Sequence, residues 1–256
     1  MADEQLRLAI AAAVGIGPAF AMMWLSLRRF DYPLAPKALF DDRRVFFSFA
    51  VGIVFGVVAS ALTVLVSTSG LGVILPLLAV ALFEESFKLV YLNRPGYRGR
   101  FDTTFYGVTL GVGSSAALAM ASAFAFTPNP QVATPGFNPA LSVALLVAFS
   151  ASMATTLAST GALIGFGAAH EQVLRYFLRA FLVRASHLVI LVFFFVGEDA
   201  GLAAASLAGS LVFAGIVYAY VYREVLPETL PTDLRKSLRR WPGEAKKAKK
   251  PAKGSG

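Results

Sequence analysis

The chain has 256 residues, of which 57% are hydrophobic and only 15% charged, and its formal net charge is +8. A mean hydropathy of +0.66 excludes an ordinary water-soluble domain of this length, and the absence of cysteine excludes disulfides and thiol catalysis. Backbone amides in lipid must be paired within their own segment, so long apolar runs without alternation read as membrane-spanning helices rather than strands.

Seven such spans follow in chain order. The first covers 6–27 and is preceded by an acidic stretch, so it reads as a retained span and not as a cleavable leader. A basic connection, "RRFDYPLAPKALFDDRR", leads to the second span at 45–67, which carries Gly52 and Gly56. The third, 71–92, contains "FEESFKLVY" and with it Glu84, Glu85 and Lys88. The fourth, 104–126, repeats small residues every four positions at Gly107, Gly111 and Ser115. The fifth, 140–169, does so at Gly161 and Gly165. Such stripes let helix backbones approach closely, so these five residues are expected to pack helices together. The fifth run is long for one span, and its end, from Phe166 through "AAHEQVLRYFLRAFLVR", reads as an interfacial helix. The sixth span is then short, 185–197 or from Phe181, and the seventh covers 201–222. Residues 1–231 form the membrane domain. Residues 232–256 form a basic tail, in which "TDLRKSLRRW" reads as a short interfacial helix before a disordered cationic end.

With these spans, 21 of the 23 Lys and Arg residues fall on one side, Arg175, Arg179 and Arg184 among them. The connections "STSG", "TPNPQVATPGFNP" and "GEDAG" on the other side have none. The positive-inside rule then places the N-terminus outside and the C-terminus in the cytoplasm.

Charged groups near the middle of a bilayer cost about 2.5–3.5 kcal/mol or more each, so Glu84, Glu85 and Lys88 are expected to face the bundle interior. Lys88 stands i+4 from Glu84 and i+3 from Glu85, so it can neutralise one carboxylate within the helix. The other needs a further partner, a proton or a metal. His187, near the start of the sixth span, can join them in an intramembrane polar cavity. Thr155, Thr156, Ser159 and Thr160 form a polar turn in the fifth span, and His170 is placed at the interface beside Glu171. One histidine and two adjacent glutamates fall short of the three protein ligands typical of catalytic zinc. No metal and no cofactor is therefore expected.

The Glu-Glu-x-x-Lys pattern and the basic loop before it resemble the PrsW intramembrane proteases, relatives of the CAAX-processing proteases. In that superfamily a glutamate activates water, and later helices supply a further glutamate or histidines. This resemblance implies Glu84, Glu85 and His187 as catalytic candidates. The chain departs from it at Ser114–Met120, which holds no acid, at Gly161, where a histidine is expected, and at Leu191.

A second resemblance covers nearly the whole chain. "GPAFA" at Gly17–Ala21, "FEESFKLVY", the Gly107/Gly111/Ser115 stripe and "ASHLV" around His187 are similar, in order and spacing, to the Aph (anterior pharynx defective) scaffold subunit of gamma-secretase. It departs at Gly161, where that family's first histidine falls. The resemblance implies an all-α, seven-helix membrane bundle of the Aph-like and PrsW/CAAX-protease-like kind, without catalytic residues of its own. It implies a non-catalytic scaffold whose partner is a presenilin-type intramembrane aspartyl protease, with no nucleic acid involved. Integral location in a prokaryotic cell membrane is expected, with a cytoplasmic tail. The alternative is an active PrsW/CAAX-type protease using Glu84 or Glu85.

Overall fold

Apolar runs that cannot leave amides unpaired in lipid close their hydrogen bonds within helices, and the computed structural model is all-α. It describes residues 2–65, 70–126, 139–196, 200–238 and 240. The helices are α1 (Ala2–Leu27), α2 (Asp42–Leu65), α3 (Ile74–Leu92), α4 (Thr103–Phe126), α5 (Pro139–Ala169), α6 (Val173–Val196), α7 (Ala200–Tyr220) and the short α8 (Leu226–Glu228). A π turn at Val221–Val225 joins α7 to α8.

Six helices are long and apolar enough to cross a membrane: Glu4–Phe30, Asp42–Thr63, Thr103–Ala125, Ala140–Ala169, Val173–Phe194 and Gly201–Glu228. The chain is therefore an integral membrane protein by length and composition. α3 is the seventh long helix. It falls short of the apolar criterion because Glu84, Glu85 and Lys88 interrupt it, yet all three are fully buried.

α4 is the axis of the bundle. In its apolar window 72% of residues are buried, against 22–44% in the other five, and α5, α2 and α1 all pack on it. Glycine makes this possible, because a Cβ at the contact points would strike backbone. Methyls on Gly107 and Gly161 would each overlap the other residue's carbonyl oxygen, and one on Gly111 would overlap that of Leu157. Gly165 faces Thr103 O at 2.6 Å from its would-be Cβ. The opposite side of α4 meets α2 in the same way, through Gly113 against Phe49 and Gly52 and Gly56 against Leu110 and Ser114. Gly15 brings α1 to Ala116. Ser115 is buried and returns its hydroxyl to Val112 O at 2.7 Å.

The structure corrects the expected course of the fifth and sixth spans. α5 is a single helix to Ala169. The chain then reverses within three residues: Glu171 takes a left-handed φ of 58°, and the N–H groups of His170 and Gln172 cap Phe166 O and Gly167 O. α6 begins at Val173, so the expected interfacial helix is its first half. Of the arginines in this half, Arg179 lies over the Tyr176 ring, 4.9 Å from its centroid, and Arg184 is inside the protein, only 2% exposed. Arg184 is thus not one of the loop charges on which the orientation was argued.

The loop 93–102 is tied down. Gly96 and Gly99 have φ of 90° and 75°, Gly99 N–H donates to Ala168 O at 3.0 Å, and Arg44 donates to Gly96 O at 2.9 Å. Residues 232–238 are helical, and Leu230 and Leu238 are buried in the same core as Phe30, Phe105 and Leu226. All but the last residue of the loops "STSG" and "TPNPQVATPGFNP", most of "GEDAG", residue 239 and the tail beyond 240 lie outside the described residues.

Candidate functional site

α3 presents Glu84, Glu85 and Lys88 to α5 and α6, and none has accessible surface. Three ionisable groups on one helix within a bilayer can persist only if each finds a counter-charge or a donor. Two separate clusters provide this.

In the first, Lys88 Nζ is 2.6 Å from Glu85 Oε1 and donates to Thr160 Oγ1 on α5 at 2.8 Å. Thr160 in turn donates to Glu85 Oε1 at 3.1 Å. Of the two carboxylates within reach, Lys88 takes the one at i−3. Thr160 closes the triangle and joins α3 to α5.

In the second, Arg184 Nε donates to Glu84 Oε2 at 2.9 Å. This is the further partner that the second carboxylate required, and it is a cation from α6. Arg184 Nη1 also lies 3.4 Å from His187 Nδ1, one turn on, and 3.4 Å from the sulfur of Met153. His187 Nε2 is 2.8 Å from Ser152 Oγ on α5, and Ser152 is 3.0 Å from Ser210 Oγ on α7. Ser210 donates to Leu207 O at 2.8 Å.

The hydrogen positions in this chain follow from its two ends. Arginine can only donate, so His187 Nδ1 is the acceptor and the ring proton is on Nε2. That proton goes to Ser152, the proton of Ser152 goes to Ser210, and that of Ser210 goes to a backbone carbonyl. The donors run one way from Arg184 to Leu207 and link α3, α6, α5 and α7.

Glu84, Glu85, Lys88 and His187 therefore fall into two neighbouring clusters of one closed seam, with no accessible surface on any of the four. The seam carries two cations and two carboxylates in two pairs. Among the described residues no group of three or more His, Cys, Asp or Glu could hold a metal ion. One oxygen of each carboxylate, Glu84 Oε1 and Glu85 Oε2, accepts no hydrogen bond within the described protein, and Thr156 Oγ1 is likewise unbonded.

The five small residues expected to pack helices lie elsewhere. Gly107 and Gly111 on α4 and Gly161 and Gly165 on α5 form the α4–α5 contact, beside the seam and not in it, while Ser115 is buried and bonds only within α4 among the contacts described. His170 caps the end of α5, its ring 3.0 Å from Phe166 O and stacked on the Phe166 ring. Sequence reasoning missed Arg184, Ser152 and Ser210. For Arg184 a signal was present: Arg184 and His187 share one helical face at i,i+3, as Glu85 and Lys88 do.

A second polar cluster secures the start of α4. Arg100 binds Asp102 through two nitrogens, at 3.0 and 2.6 Å, and Tyr106 donates to the same carboxylate at 2.9 Å. Burial alone pushes the Asp102 carboxyl up. The hydrogen bonds from Arg100 and Tyr106 outweigh it and hold the group below its ordinary value.

Comparison with known protein families, curated proteins and solved structures yields no match.

Proposed function

We propose that the chain is a non-catalytic membrane scaffold subunit of the Aph-like kind, seven spans with the N-terminus outside and the C-terminus cytoplasmic. In this reading it binds and stabilises a polytopic partner, an intramembrane aspartyl protease of the presenilin type. One observation carries the non-catalytic part: each intramembrane carboxylate is already bound to a cation of the same chain, Glu84 to Arg184 at 2.9 Å and Glu85 to Lys88 at 2.6 Å. A general base must hold an accessible lone pair near the reacting water, at a proton affinity suited to taking its proton. Neither carboxylate has any accessible surface from which to reach a water. His187 offers no substitute, because its acceptor nitrogen faces Arg184. The nature of the partner rests on the order of the Aph-like motifs, from "GPAFA" through "FEESFKLVY" and the small-residue stripe to "ASHLV".

A PrsW-like protease is the second reading. It is favoured by the unbonded oxygens Glu84 Oε1 and Glu85 Oε2, which could face a water if the seam opened.

Affinity purification of the full chain from its native membrane in mild detergent distinguishes the two. The scaffold reading expects a stoichiometric polytopic membrane protein with paired intramembrane aspartates. A chain that purifies alone and cleaves a transmembrane peptide overturns it.

A further inference from the structure

A groove of about 530 Å³ opens between the last turn of α1 and the first turns of α2, far along the chain from the charged seam. Its volume is in the range of small-molecule sites. Leu27, Val45 and Phe46 make its wall apolar, while Arg28, Asp31 and Asp42 bring one cation and two carboxylates to the same groove. Both flanking helices are candidate membrane spans, ending near Phe30 and beginning at Asp42. The groove therefore lies at span ends, where the bilayer meets water. Trp24 and Tyr32, 60% and 68% exposed, are the amphipathic aromatics expected at that level.

The charges are not committed to one another. None of the ion pairs among the described residues involves Arg28, Asp31 or Asp42. Arg28 is held over the Trp24 ring, 4.6 Å from its centroid, and this fixes the guanidinium at the groove without neutralising it. Asp31 uses one oxygen to accept the Tyr32 N–H at 2.8 Å and keeps the other. The groove thus offers an apolar wall, a fixed cation and acceptors for a cationic donor.

We propose that this groove is a binding site for a phospholipid with a primary ammonium in its headgroup, of the phosphatidylethanolamine class. Arg28 pairs with the phosphate, for which a guanidinium is the fitted donor. The ammonium donates its N–H groups to Asp31 and Asp42, and an acyl chain lies along Leu27, Val45 and Phe46. A choline headgroup has no N–H to give to the carboxylates. A purely anionic headgroup meets two carboxylates and only one cation.

The test is native mass spectrometry of the full chain released from micelles, titrated with phosphatidylethanolamine, phosphatidylcholine and phosphatidylglycerol of identical acyl chains. Ethanolamine lipid should be retained about tenfold better than either of the others, as one charge-assisted hydrogen bond contributes. Asp42→Asn should bring it down toward the choline lipid, and Arg28→Gln should weaken all three. Both residues are exposed, so neither change threatens the fold. Equal retention of the three lipids shows only annular lipid and overturns the proposal. So does a preference for phosphatidylglycerol, or an ethanolamine preference that survives Asp42→Asn.

Discussion

Residue by residue, the seam is a set of reciprocal obligations. Removing one partner of a buried pair strands a charge and costs about 3–5 kcal/mol, whereas replacing both by apolar groups of similar volume is often neutral or stabilising. Arg184→Leu should therefore destabilise the chain by about 3–5 kcal/mol, and Glu84→Leu added to it should restore most of that. Thermal unfolding of the four variants in detergent measures the coupling. If the double variant is no more stable than Arg184→Leu alone, the pair is not the unit described. The carboxylate at the start of α4 makes a different prediction. Its folded value lies below the ordinary 3.8, so the unfolded chain binds the proton more readily. The contribution of Asp102 to stability is thus present above that ordinary value, and it is lost as pH falls through the depressed one. Asp102→Asn should flatten the acid side of the stability profile below about pH 4; an unchanged slope contradicts this. Of the seam, Glu84, Glu85, Lys88 and His187 were legible, because ionisable groups in apolar runs have few innocent explanations. Arg184 was not, because an arginine at the edge of an apolar run obeys the same statistics as a loop charge. Its i,i+3 spacing from His187 is the one hint in the sequence, and its burial against Glu84 sets it apart.

At the scale of helices, the glycine stripes were legible as spacing but not as partnership. Small residues at i,i+4 announce a close approach, and the structure supplies the surfaces: Gly107 and Gly111 against Gly161 and Leu157, backbone to backbone. Gly113 and Gly15 were missed, since a lone glycine in a helix has no pattern to betray it. A methyl at Gly161 has nowhere to go but into Gly107 O, and neither backbone can move without shifting a whole helix. Gly161→Ala should cost about 3 kcal/mol, the upper part of the usual range for overpacking. Gly17→Ala, with nothing within 4 Å of its would-be Cβ, should be nearly silent. Equal melting temperatures for the two variants would show that α4 and α5 are not in contact as described. The reversal between α5 and α6 was illegible for a related reason. "AAHEQV" contains neither glycine nor proline at the turn, and Glu171 occupies the left-handed position that glycine normally marks.

For the whole molecule, the helical membrane character was written in composition alone, and six spans meet the apolar criterion in the structure. The full path of the chain through the bilayer depends on α3, whose charges disguise it. The proposed topology predicts that cysteines introduced at Asn129 and Asp199, both outside the described residues, react with an impermeant thiol reagent applied to intact cells. One at Arg98, which is 54% exposed, should react only after permeabilisation. The reverse pattern sinks the topology. The central claim is that the seam holds four helices together and does no chemistry. Its most direct measurement is a cleavage assay of the purified full chain on transmembrane and prenylated peptides, for wild type, Glu84→Gln and Glu85→Gln, with folding checked by thermal unfolding. The account predicts no cleavage by any of the three and lower melting temperatures for both variants. Hydrolysis by the wild type that Glu85→Gln abolishes, while its melting temperature is unchanged, would contradict the account and make the seam an active site.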